Sequence, residues 1–327
     1  MNGDKKSSPM IVLAGPTAVG KTKLSIALAK AVGGEIVSAD SMQVYRYMDI
    51  GTAKITQDEM QGVPHHMIDV LEPWDTFNVA VFKTMCEQCV TEIYQRGHIP
   101  IVTGGTGFYI QALLRNIDFT ENECNTEYRT SLERLAAQKG AAYLHELLQE
   151  IDPVSAQAIH ANNIKRTIRA LEYFHLTGEP ISRHNERERE KVSAYQSWYF
   201  VLTDLRERLY ACIDRRVDEM IERGLVDEVK KLAAMGCHRE LVSMQGLGYK
   251  EILAYLEGET DFEQALDILK RDTRHFAKRQ LTWFRRERDV IWVDKSKFAY
   301  NEEKILGYML EIIRGKAPNT EKQTMKE

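Results

Sequence analysis

The sequence predicts an α/β protein whose parallel sheet with flanking helices is interrupted by an all-helical insertion. Three observations carry this expectation. Apolar runs of strand length alternate with helical patterns towards both ends of the chain. The first such run leads into Gly15-Pro16-Thr17-Ala18-Val19-Gly20-Lys21-Thr22, which reads G-x-x-x-x-G-K-T. From Arg115 to about Lys191 no strand-like run occurs. The expected division is a discontinuous P-loop NTPase-like core over 1–115 and 195–313, a helical insertion domain over 116–194, and a disordered tail over 314–327.

Composition bounds the answer before any motif is weighed. A chain of 327 residues with 43% hydrophobic and 28% charged residues is that of a soluble globular protein large enough for two domains. Its net charge of −4 means that nucleic-acid binding must come from a local basic patch. Met1 to Pro9 is short and polar, and nowhere do about 18 apolar residues run together, so neither a signal peptide nor a membrane span is expected. Five scattered cysteines suit a reducing cytoplasm. Cys86 and Cys89 form a C-x-x-C inside a long helical pattern with no second pair at metal spacing, and read as helix residues of which at least one is packed.

Met10 to Ala14 is the first strand, and Leu24, Ala27, Leu28 and Ala31 fall at helical spacing after the loop. Strand, glycine loop and helix N-terminus in that order form an anion site. Backbone N–H groups converge, the helix dipole favours negative charge, Lys21 adds a full charge, and the Thr22 hydroxyl can ligate Mg²⁺. Glu35 to Ala39 reads as a second strand ending at Asp40, on the rim where parallel sheets bind ligands. Asp40 is either a functional carboxylate or a cap or turn residue. Gly51 to Pro64 reads as a loop with a short helix, His65 and His66 as rim or structural residues, and Met67 to Val70 as a short strand.

A helix from Phe77 to Gln95 leads to Gly97, then to a buried strand, Ile99 to Thr103, and to Gly104-Gly105-Thr106-Gly107. That strand ends in Thr103 where a P-loop ATPase usually carries an acid, so ATP hydrolysis fits poorly. The glycines either make a tight turn or let a ligand approach the backbone. In the insertion, helices are expected over Tyr128 to Lys139, Ala141 to Glu150 and Ile164 to His175, with Lys165, Arg166 and Arg169 on one face of the last. Arg183 to Lys191 reads as a solvated charge run. Strand character returns at Tyr199 to Leu202, followed by Asp204 as an N-cap for a helix carrying Arg206, Arg208, Arg215 and Arg216. Lys270 to Asp289 holds eight Lys/Arg against three Asp/Glu, with Arg271, Arg274, Lys278 and Arg285 near one stripe and Phe276, Trp283 and Phe284 interleaved. Such a segment is either a solvated helix or the footprint of phosphate contact and base stacking. Taken together, a phosphate loop without the usual carboxylate, a rim aspartate and basic helices suggest group transfer from a diphosphate; a nucleotide kinase competes.

The ordered motifs add a resemblance. Gly15 to Thr22, Ser38-Ala39-Asp40-Ser41-Met42-Gln43-Val44-Tyr45, Gly104 to Tyr109, the Lys165 to Glu172 helix, Gly248-Tyr249-Lys250-Glu251 and Lys278 to Arg285 together resemble the tRNA dimethylallyltransferases, from residue 15 to about 293. The resemblance implies transfer of a dimethylallyl group from dimethylallyl diphosphate to N6 of the adenine 3′ to a tRNA anticodon. It implies Asp40 as general base with Lys21 and Thr106 in the catalytic set. Gly15, Pro16, Thr17, Ala18, Val19, Gly20, Lys21 and Thr22 would line the diphosphate, with Arg206 and Arg215 as its neighbours and Thr22 as the Mg²⁺ ligand. Asp40, Ser41, Met42, Gln43, Thr106, Lys165, Arg166 and Arg169 match tRNA-contacting positions, to which the basic segment adds Lys278, Arg279 and Arg285. No Cys/His zinc finger follows Cys237, so the likeness is to the compact bacterial form, expected to act as a cytoplasmic monomer on the tRNA anticodon stem-loop. The alternatives are prenylation of free AMP, ADP or ATP, and a P-loop small-molecule kinase.

Overall fold

The apolar run ahead of the glycine loop becomes the middle of the sheet. The computed structural model describes residues 8–119 and 126–315, and in it β1 (Ser8–Ala14) carries Met10 to Ala14 with no exposed surface. A strand buried on both faces reads as a continuous apolar run, the signature of a parallel sheet under helices. Among the described residues the sheet has six parallel strands in the order β3-β2-β4-β1-β5-β6, where β2 is Gly34–Ser38, β3 His65–His66, β4 Ile99–Gly104, β5 Tyr195–Thr203 and β6 Val290–Asp294. Registers Ser38↔Thr103, Ala14↔Gly104, Ala14↔Val201 and Thr203↔Asp294 bring the carboxyl ends of five strands to one rim.

The chain divides into two compact units, 1–113 with 195–327, and 114–194. In the first, α1 (Lys21–Val32), α2 (Gln57–Met60), α3 (Val79–Gln95, capped by Asn78) and α4 (Gly107–Leu114) follow the early strands. The second unit is helical throughout: α5 (Thr126–Lys139), α6 (Ala141–Ile151), α7 (Pro153–Ala158), α8 (Ile164–Thr177) and α9 (Ile181–Glu190). Its core is Leu132, Leu144, Leu148, Ala156, Ile168, Ala170 and Leu171. The first unit resumes with α10 (Arg206–Glu222), α11 (Leu225–Ala234), α12 (Tyr249–Leu256), α13 (Phe262–Phe284) and α14 (Glu302–Ile313). The tail expected from 314 onward lies, past Gly315, outside the described residues. Among the described residues no helix is long and apolar enough to cross a membrane.

Two local expectations are corrected and a third is qualified. The strand falls on His65–His66, not Met67 to Val70, because Met67 and Asp69 adopt φ of 64° and 54° and break the pleat. Buried Lys54 draws Asp69 and Asp49 to its ammonium, both at 2.6 Å, and the chain turns back so that Val70 and Leu71 N–H bond Val44 O. The charge run Arg183 to Lys191 lies mostly in α9 and is largely exposed, as expected, except that Glu188 is buried, accepts Asp118 N–H at 3.1 Å and pairs with Lys191 at 2.7 Å. Asp204 does not cap α10: the helix starts one residue later, behind Leu205, and Asp204 accepts the Leu205 N–H at 2.7 Å.

His65 and His66 are structural, as expected. His65 Nδ1 lies 2.8 Å from Val63 O, and His66 Nε2 2.6 Å from Glu35 Oε2. Glu35, buried at the start of β2, also takes a two-pronged bond from Arg96 (2.9 and 2.7 Å) and sits 2.6 Å from His98 Nδ1. The Arg96 guanidinium foremost, helped by His98 and His66, holds the Glu35 carboxyl down from its ordinary 4.5 to about 2. A depressed carboxyl stabilises the fold above its unfolded value and loses that contribution as pH falls towards the folded one. Glu35→Gln is therefore expected to lower stability at pH 7 by about 3 kcal/mol and to flatten the decline between pH 4.5 and 2, measured by urea unfolding across pH.

Candidate active site

The glycine loop leaves β1 through Gly15, whose φ of 149° and whose approach to β5 exclude a side chain; an added Cβ would stand 2.7 Å from Leu202 O. Ala18 and Gly20 take left-handed φ of 61° and 93°, curling the loop over the start of α1. That helix begins behind Gly20 with no capping side chain and no acid in its first turn, so its N–H groups and dipole open into the loop. Lys21 Nζ donates to Gly15 O (3.0 Å) and Pro16 O (2.7 Å), and Lys295 Nζ to Val19 O (3.0 Å). Thr22 stands exposed in the first turn of α1, and its carbonyl accepts the Ser25 hydroxyl at 2.8 Å.

Beside the loop opens a cavity of about 340 Å³. Its polar wall brings together Thr17, Ala18, Asp40, Ser41, Met42 and Thr106, with Arg279 from α13 and Arg216 from α10. Asp40 makes a turn, one of the two readings the sequence left open, and also lines the cavity. Its Oδ1 accepts Met42 N–H (2.8 Å) and Gln43 N–H (3.3 Å), a turn that fixes the carboxylate while its other oxygen takes no part in these bonds. Gln43 stays off the cavity wall and donates to Thr52 O at 3.2 Å. Much of the remaining lining is apolar, from Ile213, Val217, Met220, Leu247, Leu269 and Phe276.

The electrostatics are those of an anion site. Desolvation foremost, and then the Arg216 charge, push the Lys21 ammonium down from 10.5 to about 7, while Asp40 pulls the other way. Burial lowers Arg216 as well, against the same Asp40. Two desolvated cations thus face Asp40 in common, with Glu219 a further carboxylate acting on Arg216, an arrangement that a ligand with several negative charges would complement.

The arginine that meets Lys21 was not among the expected site residues. Arg206 and Arg215 lie exposed outside the cavity wall, Arg206 over the Tyr210 ring (5.2 Å) and Arg215 near Glu219 (3.9 Å). Helical spacing held the signal: Arg216 falls three after Ile213 and four before Met220, on the cavity face, and Arg215 is turned about 100° from it. A second missed residue is Glu228 of α11. Its carboxylate accepts the N–H groups of Asp49 (3.0 Å), Ile50 (2.7 Å) and Gly51 (3.0 Å) and the Tyr249 hydroxyl (2.7 Å), holding the Gly51–Thr52 side of the cavity. No local pattern reveals a partner about 180 residues away.

The basic segment is only partly free. Lys270 pairs with Asp218 (2.6 Å), Arg274 with Asp214, and Arg271 with Asp272 (2.9 Å), because Asp214 and Asp218 on α10 face the first turns of the stripe. Lys278, Arg279 and Arg285 are exposed without an ion pair among the described residues. In the second unit Lys165, Arg166 and Arg169 are exposed along α8, opposite buried Ile168 and Leu171.

Gly104, Gly105 and Gly107 make room for protein, a reason that neither sequence reading contained. None has a positive φ. A Cβ on Gly104 would stand 2.3 Å from Ala39 O, on Gly105 2.1 Å from Gln280 Nε2, and on Gly107 2.1 Å from the Trp283 ring. β2 and α13 both press on this loop. Gly107→Ala is expected to cost about 1–3 kcal/mol by overpacking, whereas Gly307→Ala, with open space around its Cβ in α14, should stabilise by about 0.5–1 kcal/mol. Thermal unfolding of the two variants separates the cases.

Comparison with known proteins bears on this geometry. The family model described as IPP transferase matches residues 43–287, and that described as Isopentenyl transferase matches residues 9–74. A tRNA dimethylallyltransferase of Lachnoclostridium phytofermentans is 60% identical over 97% of this chain and 99% of its own length; that of Acetivibrio thermocellus is 50% identical over 91% and 95%. Among solved structures, the tRNA isopentenylpyrophosphate transferase of Bacillus halodurans is 44% identical with a TM-score of 0.68, covering 94% of this chain and 99% of that one. A eukaryotic dimethylallyltransferase described as acting on tRNA is 30% identical with a TM-score of 0.81, covering 96% and 82%. By sequence and by architecture alike, the chain belongs to the IPP transferase family, in which these relatives are tRNA dimethylallyltransferases.

Proposed function

We propose that this protein transfers a dimethylallyl group from dimethylallyl diphosphate to N6 of the adenine 3′ to the anticodon of tRNA, releasing diphosphate. The observation that carries this is a cavity beside the glycine loop in which Asp40 and Arg216 stand among largely apolar side chains. Lys21, Arg216 and the first turn of α1 suit a diphosphate, and Ile213, Val217, Met220, Leu247 and Phe276 suit a short hydrocarbon. In this reading the glycine loop grips a leaving group and not an energy source. No acid ends β4, whose last side chain before the glycines is Thr103.

Bond making and breaking follow from that placement. N6 attacks C1 of the prenyl group while the C1–oxygen bond breaks, and Lys21 and Arg216 offset the charge growing on the departing diphosphate. Asp40, anchored through one oxygen, takes the proton that N6 sheds, since a neutral exocyclic amine becomes a useful nucleophile only as it loses it. The apolar lining holds the five-carbon chain and excludes the water that would otherwise intercept it. Thr106, on the same wall as Asp40, lies on the acceptor side. Mg²⁺ would be held by Thr22 together with the ligand's phosphate oxygens, supplying additional charge neutralisation; among the described residues no cluster of three His, Cys, Asp or Glu could cage a metal.

The adenine must leave the anticodon stack to reach Asp40, because N6 is not reachable in a stacked loop. Arg279 at the cavity mouth with exposed Lys278 and Arg285, and the Lys165, Arg166 and Arg169 face of α8, supply phosphate contacts. In this reading the protein acts as a monomer in the cytoplasm, in keeping with a tRNA substrate.

Incubation with labelled dimethylallyl diphosphate and unmodified tRNA should label the anticodon stem-loop. Absence of incorporation, or preference for free AMP in competition, would overturn the assignment. Asp40→Asn keeps the turn but removes the base. It is expected to lower kcat by about 10²–10⁴-fold with tRNA affinity unchanged in filter binding. Neutralising Lys278 and Arg279 together should weaken tRNA binding and reduce the slope of log K against log salt by about 2; an unaltered slope removes α13 from the interface.

A further inference from the structure

Helix α13 has a buried side as well as a basic one. Gln280, on that buried side, is 7% exposed, and both ends of its amide are used across the rim. Oε1 accepts Thr17 N–H at 2.9 Å, and Nε2 donates to Gly105 O at 3.0 Å. The orientation is forced, since a backbone N–H can only donate and a backbone carbonyl can only accept. One side chain therefore joins the phosphate loop to the second glycine loop, residues separated from it by 263 and 175 positions. The fit leaves no slack: Gly105 lacks a Cβ where Gln280 lies, and one turn on Trp283 occupies the space a Cβ on Gly107 would need. Both loops bear on the chemistry, because Thr17 and Thr106 line the cavity together with Asp40. Next to Gln280 in the chain, Arg279 lines the same cavity.

We propose that Gln280 is a positioning residue for the transfer reaction, setting the separation of the two loops and tying both to the helix that carries the exposed cations. It rests on the reading that the Gly15–Thr22 loop holds the donor's diphosphate. Gln280 touches only loop backbone, and it acts through where that backbone stands. Thr17 N–H fixes how the diphosphate loop lies relative to Asp40, and Gly105 O fixes Thr106 beside it. If the amide is lost, two buried backbone groups lose their partner and the loops can drift apart. A displacement of about 1 Å between reacting groups costs about 100-fold in rate.

Gln280→Met preserves the volume and removes both hydrogen bonds. It is expected to fold with a melting temperature lowered by only a few degrees and to bind tRNA unchanged. Its kcat/KM for dimethylallyl diphosphate should fall about 10- to 100-fold, and Mg²⁺-pyrophosphate should bind about tenfold more weakly by calorimetry. Gly105→Ala disturbs the same contact from the other side and should give the same signature. Combining it with Gln280→Ala should cost less than the two changes summed, because the collision is removed; this pair decides the matter should Gln280→Met not fold. Wild-type kcat/KM and pyrophosphate affinity in Gln280→Met would reduce Gln280 to a filler of the core and overturn the proposal. So would equal losses of tRNA binding and transfer, which would place its role in seating α13 for RNA. If the unaltered protein bound no pyrophosphate, the reading of the loop itself would fail, a result distinct from either.

Discussion

Everything at the rim answers to the cost of keeping Lys21 and Arg216 close together and partly out of water. Each repels the other and each loses hydration, while Asp40 opposes both and Glu219 also acts on Arg216. The protein meets this cost with fixed dipoles: the carbonyls of Gly15 and Pro16 take the Lys21 ammonium, and the turn at Met42 and Gln43 locks Asp40 in place. Those dipoles stand where they do because β1, β2 and β4 end in register. The sheet is thus a device for converging strand ends, and the site is the charge imbalance it holds there.

The apolar lining gives that imbalance its direction. A purely cationic pocket would accept many phosphorylated ligands. Here Arg216 lines the cavity alongside Ile213, Val217, Met220 and Phe276, so the lining suits a ligand that is part anion and part hydrocarbon. α10 supplies both features from one face, Arg216 standing between Ile213 and Met220, which couples charge recognition to chain recognition in a single rigid element.

What could be read in the chain beforehand was what is local. The G-x-x-x-x-G-K-T loop, the continuous apolar run of β1 and the strandless insertion are patterns within a few residues, and backbone geometry follows from them directly. The rim position of Asp40 followed from strand ends alone. Contacts across the chain were not legible: nothing near Gln280 announces Gly105, and nothing near Glu228 announces Gly51. The glycines of the second loop were misjudged for the same reason, since the space they vacate belongs to α13. Arg215 and Arg216 differ only in which way the helix turns them, and there spacing against the apolar stripe was informative. The strand at His65 escaped notice because it is two residues long and polar, held by Glu35 and by pairing to β2 instead of by burial.

The position of β1 also has a consequence for how the chain assembles. Its two neighbours come from opposite ends of the sequence: β4 follows within a hundred residues, but β5 begins at Tyr195, beyond the whole helical unit. While the ribosome is still making residues 114–194, a sheet of β3, β2, β4 and β1 can form only with β1 as an open edge. That edge is seven residues long and apolar from Met10 to Ala14, the kind that recruits foreign strands. The helical unit, whose core contacts are local, is able to fold first and bring its two ends, Leu114 and Ala194, into hydrogen-bonding contact (3.1 Å), delivering β5 to the waiting edge. The insertion is then a staple in time as well as in sequence, shortening the search for the one pairing on which the catalytic rim depends.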